Sequence, residues 1–203
     1  MKPFVFGVIL VLAGCAGQPV SPVKQVPGFD ATIPDYAAWS LHGRVSLVRG
    51  EQGWHAGMNW REAAGHYRLN LAGPLGQGAL QIIGTVGGVA HLQTANGRQY
   101  AARDADALVL SATGWQLPVT GLRYWIRGIP APGGKASMAL DDHGRLARLQ
   151  QSGWDITYSR YQSAAGRDWP SRMHLETADI SVTLIVDQWT ISPLEGQPPA
   201  LVP

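Results

Sequence analysis

The sequence predicts a mainly β domain, a long antiparallel sheet interrupted once by a small helical insert. Three observations carry that prediction. Apolar and polar residues alternate at period two through most of the chain. Glycine-rich turn signals separate these stretches at hairpin spacing. Only between about residues 104 and 128 does the apolar period lengthen to that of a helix. With 203 residues, 45% of them hydrophobic and 15% charged, the chain can bury one core. The domain is placed at residues 36–192, with 193–203 as a tail.

The first 35 residues read differently. Met1-Lys2 precedes an apolar run from Phe4 to Ala13, about half of the ~20 residues that a membrane-crossing helix requires. A basic residue before it and small residues after it are the architecture of a signal peptide, assigned to residues 1–14. The ending Leu12-Ala13-Gly14-Cys15 resembles a bacterial lipobox, which implies lipidation of the Cys15 thiol and cleavage before it. In the alternative, an ordinary secretory signal, Cys15 is incidental. Ala16 and Gly17 follow, with no aspartate retention signal, so the lipobox reading implies the outer membrane of a Gram-negative envelope. Residues 15–35 hold four prolines and no sustained period. They read as a tether with a random-coil span of roughly 25 Å.

The strands follow in order. In "WSLHGRVSLV", Trp39, Leu41, Val45 and Leu47 share one face, while Ser40, His42, Arg44 and Ser46 share the other. "WHAGMNW" continues the pattern with Trp54, Met58 and Trp60, and "HYRLNL" with Tyr67, Leu69 and Leu71. "ALQIIG" and "VAHLQT" are the next strands, and Asn96-Gly97 predicts a two-residue hairpin turn. The period then changes. Asp104 caps a helix with Ala105, Leu108, Val109 and Ala112 on one face, and Gly114 ends it. Pro118 opens a second helix carrying Leu122, Trp125 and Ile126 on one stripe, and Gly128 stops it. Afterwards "SMALDDHGRLARLQQSGWDITYSRYQ" predicts strand, Asp-His-Gly turn, strand, tight turn at Ser152-Gly153, and strand. "SRMHLET" and "ISVTLIVDQWTI" form a closing hairpin.

Composition and motifs exclude several functions. The formal charge is +2 with no polybasic run, so no nucleic-acid partner is expected. A single cysteine forbids an internal disulfide and any multi-cysteine metal site. The six histidines are scattered without ligand spacing, and no metal site is expected. Nucleophile-elbow, zinc-protease, phosphate-loop and dinucleotide motifs are missing. The chain therefore reads as a non-enzyme with no catalytic residues. No cofactor is expected beyond the covalent lipid on Cys15.

Two features stand out against that bland background. Eight tryptophans fall largely at inward positions, where aromatic residues are by default plain core. The turn "LAGPLGQGAL" carries Leu75 at its centre, where turns are normally polar. Read alone, Leu75 is most simply a plug folded back onto the sheet.

An ordered set of motifs resembles the LolB family, outer-membrane lipoprotein receptors. It comprises the lipobox, W-x-L-x-G-R (Trp39, Leu41, Gly43, Arg44), the Trp60 strand, L-x-G-P-L-G (Leu71, Gly73 to Gly76) and G-W-x-L-P-x-x-x-L-x-Y-W-x-x-G (Gly114 to Gly128). The likeness runs from about Trp39 to Ser192. It implies a half-open barrel with a helical lid at about 104–128 over an apolar cavity. It also implies a job: accepting triacylated lipoproteins from the periplasmic carrier LolA and inserting them into the inner leaflet of the outer membrane, as a monomer and without nucleotide. By the same resemblance Trp60, Leu122, Trp125, Ile126 and Trp154 are cavity or lid residues, and Pro74, Leu75 and Gly76 form a membrane-insertion loop. Two rivals remain. A scaffolding envelope lipoprotein would pack its concave face solid, and an enzyme on lipid or cell wall would need convergent polar groups.

Overall fold

The computed structural model describes residues 36–133 and 135–193. The signal peptide, Cys15, the linker and residues 194–203 lie outside the described residues. The elements run β1 (Tyr36–Arg49), β2 (Gln52–Ala63), β3 (His66–Ala72), β4 (Leu80–Thr85), β5 (Ala90–Thr94), β6 (Gln99–Ala102), α1 (Ala105–Thr113) and α2 (Val119–Trp125). They continue as β7 (Ala136–Leu140), β8 (Leu146–Gln151), β9 (Trp154–Ala164), β10 (Arg167–Glu176) and β11 (Ser181–Pro193). All eleven strands form one antiparallel sheet in the order β6-β5-β4-β3-β2-β1-β11-β10-β9-β8-β7.

That order is two meanders joined where β1 pairs β11, from Tyr36 opposite Pro193 to Val48 opposite Ser181. The sheet's edges are β6 and β7, consecutive in the chain, so their connection must cross from one edge to the other. It does so as α1 and α2, whose apolar residues join the core of the sheet's inner face. The helical insert sits where the topology needs a long crossing.

Local sequence explains the elements. Trp39, Leu41, Val45 and Leu47 of β1 are buried while His42, Arg44 and Ser46 are exposed, as alternation requires. Gly43 keeps the same phase for a different reason. The β1–β11 register shifts between His42 and Gly43, which leaves Asp187 as an extra residue on β11, and a Cβ on Gly43 would fall 2.2 Å from the Ile185 carbonyl oxygen. The bulge turns Asp187 outward to meet Arg44 at 2.8 Å. This pair is exposed and contributes at most about 1 kcal/mol. Arg44 therefore dresses the outer face.

Asp104 caps α1 by accepting from the Asp106 and Ala107 amides at 2.9 and 3.3 Å. Gly114 ends it at φ 74°. Pro118 stands at the N-cap of α2, and Gly128, at φ 75°, closes the turn after it. The Asn96-Gly97 expectation changes in detail. Only Gly97 takes positive φ, and Thr94 N–H donates to the Arg98 carbonyl while Gly97 N–H donates to the Thr94 carbonyl. This is a three-residue loop rather than the two-residue turn, because Asn96 uses its side chain to accept from Thr94 and Arg98.

Three other hairpins do use two-residue turns with both φ positive: Ala64-Gly65, Ser152-Gly153 and Ala165-Gly166. Alanine in the left-handed region costs about 1–2 kcal/mol that asparagine largely avoids. Ala64→Asn and Ala165→Asn are each expected to stabilise the domain by on the order of 0.5 kcal/mol. Urea unfolding checks this as a higher midpoint with an unchanged slope.

Candidate functional site

The β1–β2, β3–β4 and β5–β6 connections gather at one end of the sheet, and the β3–β4 connection is the "GPLG" segment. Gly73 N–H donates to the Gln77 carbonyl at 3.0 Å, Gly76 N–H to the Gly73 carbonyl at 3.0 Å, and Gln77 N–H to the Pro74 carbonyl at 3.2 Å. These bonds build two overlapping turns that both pass through Leu75, which is held at φ 56°, ψ 23°. Leu75 is 99% exposed. It does not fold back as a turn plug. The backbone favours glycine or asparagine here and water favours a polar group, so a leucine is disfavoured twice.

Beside this tip lies an apolar cavity of about 410 Å³. Its walls are Leu47, Trp54, Leu71 and Leu80 from the sheet, Val109 and Ala112 from α1, and Trp115 and Leu117 from the segment between the helices. The G-W-x-L-P motif thus acquires a physical meaning. Gly114 turns the chain, Trp115 and Leu117 line the cavity, and Pro118 starts α2. Arg49, next to the β1–β2 turn, donates to the Gly114 carbonyl at 3.2 Å and lies 4.9 Å from the Trp115 ring centroid. The rim of the cavity is held by exposed contacts of modest strength.

The five residues assigned to cavity and lid lie elsewhere. Trp60, Leu122, Trp125, Ile126 and Trp154 are all buried in the core, and none of them lines this cavity, although Trp60 borders a second pocket of about 310 Å³ beside α2. Leu122, Trp125 and Ile126 lie at α2, pressed directly on the sheet, so the volume expected beneath them is filled. Trp125 Nε1 donates to Gln151 Oε1 at 2.8 Å, and the Tyr158 hydroxyl donates to the Trp125 carbonyl at 2.9 Å. Gln151 also exchanges two 2.8 Å hydrogen bonds with the Ala131 backbone. The open space occurs instead where Gly78, Ala79, Ala95 and Ala112 leave room. Small residues beside tryptophan were the signal for it in the sequence.

Composition and spacing also missed an inner ionic cluster. Glu62 follows Trp60 in phase on the inner face and is 7% exposed. Both Nε and Nη2 of Arg123 in α2 donate to its carboxylate. Burial alone would lower the Arg123 pKa, but hydrogen bonding and attraction to Glu62 outweigh it and raise the pKa overall. Asp106, half-buried, accepts from the Thr120 amide at 2.8 Å, and burial raises its pKa against that bond. A wall of indoles runs alongside, with centroid separations of 5.6 Å for Trp60–Trp39, 5.7 Å for Trp39–Trp189 and 5.0 Å for Trp189–Trp169. Among the described residues, no three His, Cys, Asp or Glu side chains gather to hold a metal ion.

Comparison with known proteins gives a consistent result. A family model described as outer membrane lipoprotein LolB matches residues 37–189. The outer-membrane lipoprotein LolB of Pseudomonas putida is 37% identical over 191 residues, covering 91% of this chain and 93% of that protein. Its counterpart in Pseudomonas aeruginosa is 35% identical over 188 residues, covering 89% and 91%. Among solved structures, a Vibrio parahaemolyticus domain described as outer membrane lipoprotein-sorting superposes with a TM-score of 0.56 at 12% identity, covering 80% of this chain and 87% of that one. A LolA superfamily protein from Nitrosomonas europaea superposes at 0.52 with 6% identity, covering 79% and 88%. These two likenesses are of fold.

Proposed function

The chain belongs to the LolB family of outer-membrane lipoproteins, and on that premise we propose that it accepts triacylated lipoproteins from the periplasmic carrier LolA and inserts them into the outer membrane without nucleotide. Cys15 carries the lipid that anchors it, and the domain acts as a monomer on the periplasmic face. The observation that carries this reading is Leu75, fully exposed in a backbone conformation that disfavours it, in the same connection whose Gly78 and Ala79 line an apolar cavity.

Physical chemistry supplies the rest. A 16-carbon acyl chain gains roughly 12 kcal/mol in an apolar site at about 0.8 kcal/mol per buried CH₂, so a lipoprotein needs an escort across water. Without fuel, handover runs on differential affinity, each acceptor binding the chains better than its donor. At about 30 Å³ per water-sized group, the 410 Å³ cavity holds less than one such chain. Uptake therefore displaces α1 and the Trp115 segment from the sheet; the exposed Arg49 contacts at the rim resist this little, and the incoming acyl chains replace the apolar contacts that Leu108, Val109 and Leu117 give up.

The test is transfer of a radiolabelled lipoprotein from loaded LolA to the soluble domain, residues 16–203. Label moving onto the domain is the expected result. A folded domain that takes up no label would overturn the receptor reading in favour of a scaffolding lipoprotein.

A further inference from the structure

Three buried indoles spend their N–H groups within the protein. Trp125 donates to Gln151 Oε1 at 2.8 Å, Trp169 to the Ala164 carbonyl at 2.9 Å, and Trp189 to the Pro170 carbonyl at 2.9 Å. Trp39 and Trp60 differ. They are 4% and 1% exposed, their rings lie 5.6 Å apart, and neither Nε1 has an acceptor among the described residues. A buried donor without a partner is costly, and phenylalanine would supply an aromatic ring without that cost. Packing alone does not explain the pair.

A third donor group stands beside Trp39. Arg127 is 7% exposed, with its guanidinium carbon 5.6 Å from the Trp39 ring centroid and 5.3 Å from that of Tyr124. Its Nε donates to the Arg123 carbonyl at 2.9 Å. No carboxylate among the described residues lies within ion-pair distance of it, since that of Glu62 is taken by Arg123. Burial lowers the Arg127 pKa to about 10, so the group is still a cation at neutral pH. Next to this cluster, a pocket of about 310 Å³ has Trp60 and Tyr124 in its wall together with Ala105, Val119 and Thr120. It opens away from the Leu75 end, by the β4–β5 turn at Val86 to Gly88.

We infer that Trp39 Nε1, Trp60 Nε1 and the Arg127 guanidinium form a polar subsite for the carbonyl oxygens at the root of acyl chains, the ester and amide groups of an acylated N-terminal cysteine. The inference rests on the lipoprotein-binding reading above and adds the head of the ligand to it. The chemistry is complementary. The cluster offers donors only, ester and amide carbonyls offer acceptors at a junction of apolar chains, and the surrounding wall is mostly apolar. A fatty-acid carboxylate shares that acceptor chemistry, so the test must separate the two.

The experiment uses protein with ¹⁵N-labelled tryptophan and three probes: a tripalmitoyl-cysteinyl peptide, palmitate, and hexadecane, which has no acceptor. The lipopeptide is expected to move the Trp39 and Trp60 indole N–H signals downfield and leave those of Trp169 and Trp189 in place. Trp60→Phe is expected to weaken lipopeptide binding by up to about tenfold, the worth of one hydrogen bond, without changing hexadecane binding. Trp39→Phe serves as a second variant, and the signals of the unaltered protein need no variant at all. Equal weakening for lipopeptide and hexadecane, or unmoved indole signals on lipopeptide binding, would overturn the subsite and leave acyl binding intact. Signals that move with palmitate alone would overturn the assignment to an acylated cysteine. Failure of the unaltered protein to bind any probe would remove the underlying reading itself.

Discussion

Leu75→Glu is expected to abolish delivery of lipoproteins into membranes while leaving their uptake from the carrier unchanged. The side chain touches nothing in the fold, being 99% exposed, so its replacement should not disturb the core or the cavity walls. A leucine entering a bilayer gains only about 1.5–3 kcal/mol, too little to anchor a domain but enough to change a rate by tenfold or more. Glutamate removes that gain and adds the cost of bringing a charge to the hydrocarbon. Two assays separate the steps: transfer of labelled lipoprotein from LolA to the variant, and subsequent transfer to liposomes. Equal loss in both would make Leu75 part of the acceptance site. Leu75→Asn sharpens the test, because asparagine suits φ 56°; it should raise the unfolding temperature while delivery falls. A tip that is better for folding and worse for function would show that the leucine is retained for the membrane.

Glu62→Ala is expected to cost about 3–5 kcal/mol of stability, the largest effect on folding anticipated for this chain. Glu62 is the carboxylate bound by Arg123, and both side chains of the pair are largely buried. Its removal leaves Arg123 and Arg127 as neighbouring buried cations without a counter-charge, at the point where α2 meets β2. For a domain of this size the unfolding temperature should fall by about 6–20 °C. The double variant Glu62→Ala, Arg123→Met should recover most of the loss, since an apolar pair costs less than a lone charge. Thermal unfolding of the two variants decides the matter. A drop below about 1 kcal/mol for Glu62→Ala would mean that water screens the pair and that α2 is held by its apolar face alone.

The ion pair also illustrates what could be read in advance. Period-two alternation placed Trp54, Met58 and Trp60 inward, and the same count puts Glu62 inward, a carboxylate on an apolar face that demanded a partner. That the partner is Arg123 was not legible, because nothing local links residues 61 positions apart in the chain. Cavity placement was incomplete for a related reason. Aromatic residues at inward positions mark either core or a binding wall, and the choice depends on what packs opposite them. Opposite Trp154 the space is filled, whereas opposite Trp54 and Leu80 it is left open by alanines and glycines, and Trp60, though buried, belongs to the wall of the smaller pocket beside α2. The W-x-L-x-G-R motif shows the same division. Trp39 and Leu41 were assignable to the core by alternation, while the need for glycine at residue 43 lies in the backbone of β11.

The sequence by itself determined the strands, the two capped helices, the family and the misplaced leucine. Those properties are set by side-chain period, by cap and turn chemistry within a few residues, and by ordered motifs, all of which act along the chain. Only the tertiary structure decided that β1 closes on β11, that the helices cross from one sheet edge to the other, where the cavity lies, and which indoles are left with unused donors. Each of these depends on which surfaces meet across the sheet, and a contact between distant residues leaves no period in either one's neighbourhood.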